Sequence, residues 1–270
     1  MLKEFIPPVL LNYITGFFYG WKGNFSTWNE AQKKCSGYDS DIIFSKVKKS
    51  LLKVKNGEAV FERDSFIFDK IHYSFPLLSG LSIVALKNNG KLSVLDFGGS
   101  LGSSYYQNKN IFEDIKDFDW CIVEQPHFVK EGINTFADNN LHFFYDVNSC
   151  MEKFKIDVLL LASVLQYLED PYSFLDEIIS KNIEYIIIDR TPILTKGEDR
   201  ITIQKVPKNI YDAKYPCRIF NEQKLIDYLS AYYDLIFDFD SPERMNLKNA
   251  VLKAYLFKRK KTGSAHHDQQ

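Results

Sequence analysis

The stretch Asp96-Phe97-Gly98-Gly99-Ser100-Leu101-Gly102 sets a carboxylate and three glycines directly after the apolar run Leu92–Leu95. A short strand ending in an acid, a glycine-rich turn, and then Ser103-Ser104-Tyr105-Tyr106 opening a helix make a backbone suited to a nucleotide-like ligand. Glycine lets the main chain come close to such a ligand, and the free amides at a helix N-terminus attract an anionic group. The acid narrows the choice. A carboxylate at Asp96 suits the cationic amino-acid head of S-adenosylmethionine and repels a pyrophosphate. The nicotinamide pattern G-x-G-x-x-G needs glycine at positions 100 and 103, where this chain has Ser100 and Ser103.

Further residues fall at the ends of later apolar runs, where open α/β sheets bind ligands. Cys121-Ile122-Val123 ends in Glu124, placed to accept hydrogen bonds from both ribose hydroxyls of a nucleoside; a solvated strand-end acid is the alternative. Asp146 follows the next run, and meets an adenine amino group or caps the following helix. Asp157–Leu161 leads into Ala162-Ser163-Val164-Leu165-Gln166-Tyr167-Leu168-Glu169-Asp170-Pro171. Ser163 on this loop is a cofactor candidate, Gln166 and Tyr167 face the acceptor, and Pro171 suits the first turn of a helix. Ile186-Ile187-Ile188 ends in Asp189-Arg190, read either as a general base with an anion clamp or as a mutual ion pair. His127, close after Glu124, is a second candidate base, with plain surface placement as the alternative. Residues 191–220 form a long insertion whose Tyr211, Tyr215 and Arg218 suit a lid or an acceptor wall. Arg63, within the charged run Glu62-Arg63-Asp64, is assigned to the same wall. The histidines show no ligand spacing, so no metal site is expected.

Positioning these residues requires a particular scaffold. Strands are predicted at 92–97, 120–124, 141–145, 156–161 and 184–189, with helices at 128–139 and 172–180 between them. Repeated strand, crossover and strand means a parallel sheet covered by helices on both faces. A helix at 221–230 and strands at 232–239 and 250–259 add a final hairpin. The fold class is therefore α/β, a Rossmann-like class I methyltransferase sheet, mostly parallel with an antiparallel last strand, carrying an N-terminal helical cap. Residues 1–90 are the cap, with helices expected at 28–35, 41–52 and 66–86 and with Trp21, Phe25 and Trp28 packed in it. Residues 91–260 form the main domain and 261–270 a disordered tail.

A chain of 270 residues with net charge −1 and 26% charged residues has no basic field, which argues against nucleic acid as a partner. Cys35, Cys121, Cys150 and Cys217 lie far apart, as reduced cytosolic thiols do, and offer neither a zinc pattern nor a disulfide framework. Residues 6–19 are apolar but interrupted by Pro7-Pro8, Asn12 and Thr15, and too short to span a bilayer. They read as a helix docked on the body or as a peripheral membrane contact, which the basic run Lys258-Arg259-Lys260-Lys261 would assist. The expected location is cytoplasmic, with membrane association through the N-terminus as the variant. No oligomeric state follows.

With Tyr19-Gly20-Trp21-Lys22-Gly23, Gly37-Tyr38-Asp39, Phe61-Glu62-Arg63-Asp64-Ser65, the turn at 96–102, Glu124-Gln125-Pro126, Asp189-Arg190-Thr191-Pro192 and Tyr215-Pro216 in view, the chain resembles a family of S-adenosylmethionine-dependent methyltransferases encoded among bacterial surface-polysaccharide genes. The resemblance runs over nearly the whole chain, with Ser100 standing where the general pattern has its middle glycine. It implies S-adenosyl-L-methionine as cofactor and, from the gene context, a sugar, sugar-nucleotide or glycan as acceptor for O-methylation. Gly98, Gly99 and Gly102 would lie against the methionine part, Asp96 would bind its ammonium directly or through water, and Glu124 would hold the ribose. Two other classes stay open: a methyltransferase fold that binds in a glycan assembly complex without catalysis, and a nicotinamide-dependent oxidoreductase.

Overall fold

The computed structural model describes residues 20–35, 41–206, 213–243 and 245–261. The expectations for residues 6–19, Gly37–Asp39, Tyr211 and the tail lie outside them. The N-terminal part contributes β1 (Gly20–Phe25), α1 (Trp28–Gln32), α2 (Asp41–Lys55), β2 (Phe61–Arg63), β3 (Phe66–Phe68) and α3 (Phe75–Lys87). Two readings change here. Trp21 and Phe25 lie on a strand, and the helix expected from residue 66 starts only at Phe75. Asp64 and Ser65 both take positive φ, 51° and 65°. That is the two-residue turn whose twist joins antiparallel strands, so Phe61–Arg63 and Phe66–Phe68 pair as a hairpin.

The apolar runs of the main domain become β4 (Lys91–Phe97), β5 (Asp117–Val123), β6 (Leu141–Phe144), β7 (Val158–Ala162) and β8 (Tyr185–Leu194), all parallel where they pair. Buried on both faces, such strands are nearly continuous in hydrophobic residues. The crossovers carry α4 (Ser103–Phe112), α5 (Pro126–Glu131, continued by a wider turn over Gly132–Phe136), α6 (Val147–Met151) and α7 (Pro171–Ser180). Then follow β9 (Arg200–Lys205), β10 (Lys214–Asn221), α8 (Glu222–Ser230), β11 (Tyr233–Asp240) and β12 (Ala250–Arg259).

Across the sheet the main strands lie in the order β6, β5, β4, β7, β8, β12, β11, with β12 antiparallel to β8. One core packs Val94, Trp120, Leu160 and Ile187 of the sheet against Leu81 and Val84 of α3 and Tyr105 and Phe112 of α4. The other packs Leu95, Leu159, Leu161 and Ile188 against Leu175 and Ile178 of α7 and Leu225 and Leu229 of α8. This is the α/β, mostly parallel sheet with an antiparallel strand expected from the sequence.

The described residues of the insertion at 191–220 are largely sheet. β8 runs on to Leu194, β9 and β10 form an antiparallel pair, and β1 adds to β9 from the far end of the chain. Because the strand order runs from β4 to β6 and then returns to place β7 on the other side of β4, a crevice opens at their carboxyl ends.

Candidate functional site

At that crevice the backbone leaves β4 through Gly98, with φ 72°. A Cβ on Gly98 would lie 2.5 Å from Val164 Cγ2, and one on Gly99 would lie 2.5 Å from the Asp96 carboxylate. Side chains are thus excluded on both sides of the turn and bare main chain faces the crevice. Ser100 follows at φ 56°, and Gly102, at φ 108°, starts α4. Asp96 lies beneath the turn, 1% exposed, where Trp120 Nε1–H donates to its Oδ2 at 3.0 Å. Burial raises this carboxyl to about 7. Its Oδ1 has no hydrogen-bond partner among the described residues.

Above the turn is a cavity of about 410 Å³, within the size range of small-molecule sites. Gly98, Gly99, Ser100, Ser103, Ser163 and Gln166 form its base. Its walls come from β1 (Trp21), the β2–β3 hairpin (Glu62, Arg63, Asp64), Tyr167, Arg190, and the β9–β10 pair (Gln204, Tyr215). The walls brace one another. Tyr167 Oη donates to Gln204 Oε1 at 2.8 Å, and its ring meets Tyr215 edge-on at 5.0 Å. Trp21 Nε1–H donates to Cys217 Sγ at 3.3 Å, and Arg63 pairs with Glu243 at 2.9 Å. Gln166 is 3% exposed and its Oε1 has no partner among the described residues.

Of the residues singled out from sequence, Gly98, Gly99, Ser163, Gln166, Tyr167, Arg63, Arg190 and Tyr215 line this cavity. The others stand apart from it, each for a local reason. Asp96 is screened by Gly99. Gly102 turns toward Leu141, which a Cβ would approach to 3.3 Å. Glu124 sits beside the turn, its carboxylate accepting the amides of Gln125, at 2.6 Å, and of Ser100, while burial raises its pKa. Asp146 caps α6, Oδ1 accepting Ser149 N–H at 2.8 Å, and that bond lowers its pKa. Asp189 is 2% exposed, takes Ser74 Oγ–H at 3.0 Å and lies 3.4 Å from Arg190 Nε; burial raises its pKa. The ion-pair reading of Asp189-Arg190 is the one this geometry matches. His127 packs among Phe44 and Phe128, with ring centroids at 5.2 and 4.7 Å. Arg218 donates to the Glu169 carbonyl at 3.0 Å.

Sequence reasoning gave Glu62, Gln204 and Ser74 no site role of their own. Glu62 is 1% exposed yet lines the cavity, its carboxylate hydrogen-bonded to Ser103 Oγ and to Ser65 N–H, and burial raises its pKa to about 7. Alternation in Phe61-Glu62-Arg63 was the available signal: Phe61 faces the body, and its neighbour faces the crevice floor. Among the described residues no cluster of His, Cys, Asp and Glu is arranged to hold a metal, and no helix is long and apolar enough to cross a membrane.

No protein-family model and no curated protein matches the chain. Solved structures similar to it include the N-terminal domain of EvdMO1, crystallised in the presence of SAH and D-fucose, at 12% identity and TM-score 0.46 over 74% of this chain and 90% of that one. A second is the 1,6-didemethyltoxoflavin-N1-methyltransferase of Burkholderia thailandensis, at 12% identity and TM-score 0.45 over 90% and 94%. A third is the magnesium protoporphyrin IX methyltransferase of Synechocystis PCC 6803, at 12% identity and TM-score 0.45 over 83% and 100%. At that distance the likeness says nothing of what this chain binds.

Proposed function

We propose that this protein is an S-adenosylmethionine-dependent methyltransferase whose acceptor is a hydroxyl of a sugar, sugar-nucleotide or glycan, acting in the cytoplasm on a surface-polysaccharide precursor. One observation carries the reading: a turn with side chains excluded at Gly98 and Gly99 presents main chain to a cavity at the switch point of a parallel sheet. The residues present fit such a cofactor. Bare backbone admits the methionine chain, the Ser100 Oγ is buried without a partner, and Glu124 stands at the next strand end for the ribose. When bound, the cofactor supplies an activated methyl group. The chain's own contribution is alignment and exclusion of water. Arg63, Arg190 and Gln166 offer polar contacts to an acceptor, and Tyr167, Tyr215 and Trp21 offer ring faces for a sugar. The near-neutral charge of the chain supports a small acceptor over nucleic acid.

A second reading, binding without transfer, is favoured by one fact: neither Asp189 nor His127, the candidate bases, lines the cavity. Calorimetry with S-adenosylhomocysteine, followed by incubation of the enzyme with labelled cofactor and nucleotide-sugar and glycan extracts, separates the cases. Label in the carbohydrate fraction is the expected result. Binding without label transfer supports the second reading, and label confined to lipid, protein or nucleic acid overturns the acceptor class.

A further inference from the structure

The acidic side chains around the turn and cavity differ in what already serves them: Asp64 lines the cavity but is exposed to solvent, and Glu124 accepts the amides of Gln125 and Ser100. Asp189 has Arg190, and Glu243 has Arg63. Asp96 is sealed off below Gly99 with Trp120 as donor. Glu62 is the buried acid that lines the cavity, and it has no ion pair among the described residues. Its two oxygens accept from Ser103 Oγ and from Ser65 N–H, the latter at 3.2 Å, and the like charge of Asp64 acts on it. A carboxylate buried without a counter-ion is costly to ionise, and a ligand cation placed beside it recovers that cost.

We infer that Glu62 is the carboxylate that receives the ammonium of the cofactor's amino-acid end, the task that spacing alone assigns to Asp96. The inference rests on the methyltransferase reading and deepens it. Three geometric facts support it. Glu62 and the bare turn Gly98–Ser100 line the same cavity, so a methionine chain lying on the turn runs toward it. Ser103, in the first turn of α4, fixes the carboxylate in place. The cavity's arginines, Arg63 and Arg190, are each engaged by another acid. The β2–β3 hairpin is then part of the cofactor site as well as of the acceptor wall.

A consequence follows for protons. Burial holds Glu62 up to about 7 in the free protein, with Asp64 adding to the rise and Ser103 and Ser65 opposing it. An ammonium at Glu62 favours the ionised form, so binding near neutral pH releases a proton.

The test is titration calorimetry of the full chain with two ligands, S-adenosylhomocysteine and methylthioadenosine, which lacks the amino-acid end. Runs in buffers of different ionisation enthalpy count the protons released. Glu62→Gln, checked by its melting curve, should weaken S-adenosylhomocysteine by about tenfold or more, the scale of a charge-assisted bond. Methylthioadenosine should keep its affinity. Wild-type protein should release a proton with S-adenosylhomocysteine only, and the variant with neither. Unchanged S-adenosylhomocysteine affinity in a folded variant, an equal loss for both ligands, or no proton release by the wild type overturns the inference and leaves the methyltransferase reading standing. Wild-type protein that binds neither ligand overturns both.

Discussion

Gly99→Ala isolates the role of the turn. The alanine methyl would lie 2.5 Å from both Cγ and Oδ2 of Asp96 and 2.9 Å from Oδ1. Gly99 is not among the residues with positive φ, so the backbone itself accepts alanine and the whole cost is steric. Asp96 cannot give way freely, being 1% exposed and held by Trp120. Overpacking alone costs about 1–3 kcal/mol. Displacing the carboxylate from the indole adds the loss of a hydrogen bond to a charged or buried group, about 1.5–3 kcal/mol. The expected destabilisation is therefore about 2.5–6 kcal/mol. Gly57→Ala is the control: it has φ 75° and open space around it, so only backbone strain of about 1–2 kcal/mol is expected. Urea unfolding followed by fluorescence and circular dichroism measures both. The decisive arm is Asp96→Ala with Gly99→Ala. Asp96→Ala alone leaves the indole N–H unpaired, at about 1–3 kcal/mol, but in the double variant the methyl has room and the two losses should fall short of additive by at least about 1 kcal/mol. A Gly99→Ala loss under about 1 kcal/mol, or strict additivity, would refute the packing of carboxylate on turn.

Asp96 and Glu62 both carry folded-state pKa values raised by burial to about 7, above their ordinary carboxylate values. The folded protein then binds more protons than the unfolded chain between about pH 4 and 7, so stability falls as pH rises through that window. Asp96→Asn should flatten the slope; an unchanged slope in that variant and in Glu62→Gln removes the assignment. Asp189→Asn takes the counter-charge from Arg190 and should cost about 3 kcal/mol in unfolding, yet leave methyl transfer within about threefold where both proteins are folded. A loss of about a hundredfold with an altered pH–rate profile would restore Asp189 as a base.

The parallel strands were legible because each buried run declares itself locally. Leu92–Leu95 and Ile186–Ile188 are apolar on both faces, and Pro171 starts its helix at the expected residue. The turn at Gly98 was legible for the same reason. Its partner was not: Gly99 reads as room for a ligand, whereas the group that needs the room on its Cβ side is Asp96. Strand β1 gave no local signal, since Gly20 pairs with Lys205 and only that pairing makes Trp21 part of a wall. The β2–β3 hairpin was hidden because Asp64-Ser65 lacks the glycine that marks most such turns, and Phe66-Ile67-Phe68 fits a helical stripe as well as a strand. Glu62 therefore stood only as a neighbour of Arg63 in a charged run. Asp189 looked like a base because its partner Ser74 lies 115 residues earlier.

The joint between the two parts of the sheet has its own consequence. β8 pairs with β12 along most of its length and with β7 over Tyr185–Asp189, and among the described residues its ladder with β10 consists of Ile193 with Phe220 and Leu194 with Asn221. Beyond that joint, β10, β9 and β1 carry Tyr215, Gln204 and Trp21 into the cavity wall, joined to the parallel core by this short backbone ladder and by side-chain contacts such as Tyr167 with Gln204 and Tyr215. Such an annexe can unzip as one cooperative unit while the parallel core keeps its ladder, so its amides would exchange with solvent through a cheaper opening than global unfolding. A ligand gripped between annexe and core adds its binding free energy to that opening and to no smaller fluctuation of the core.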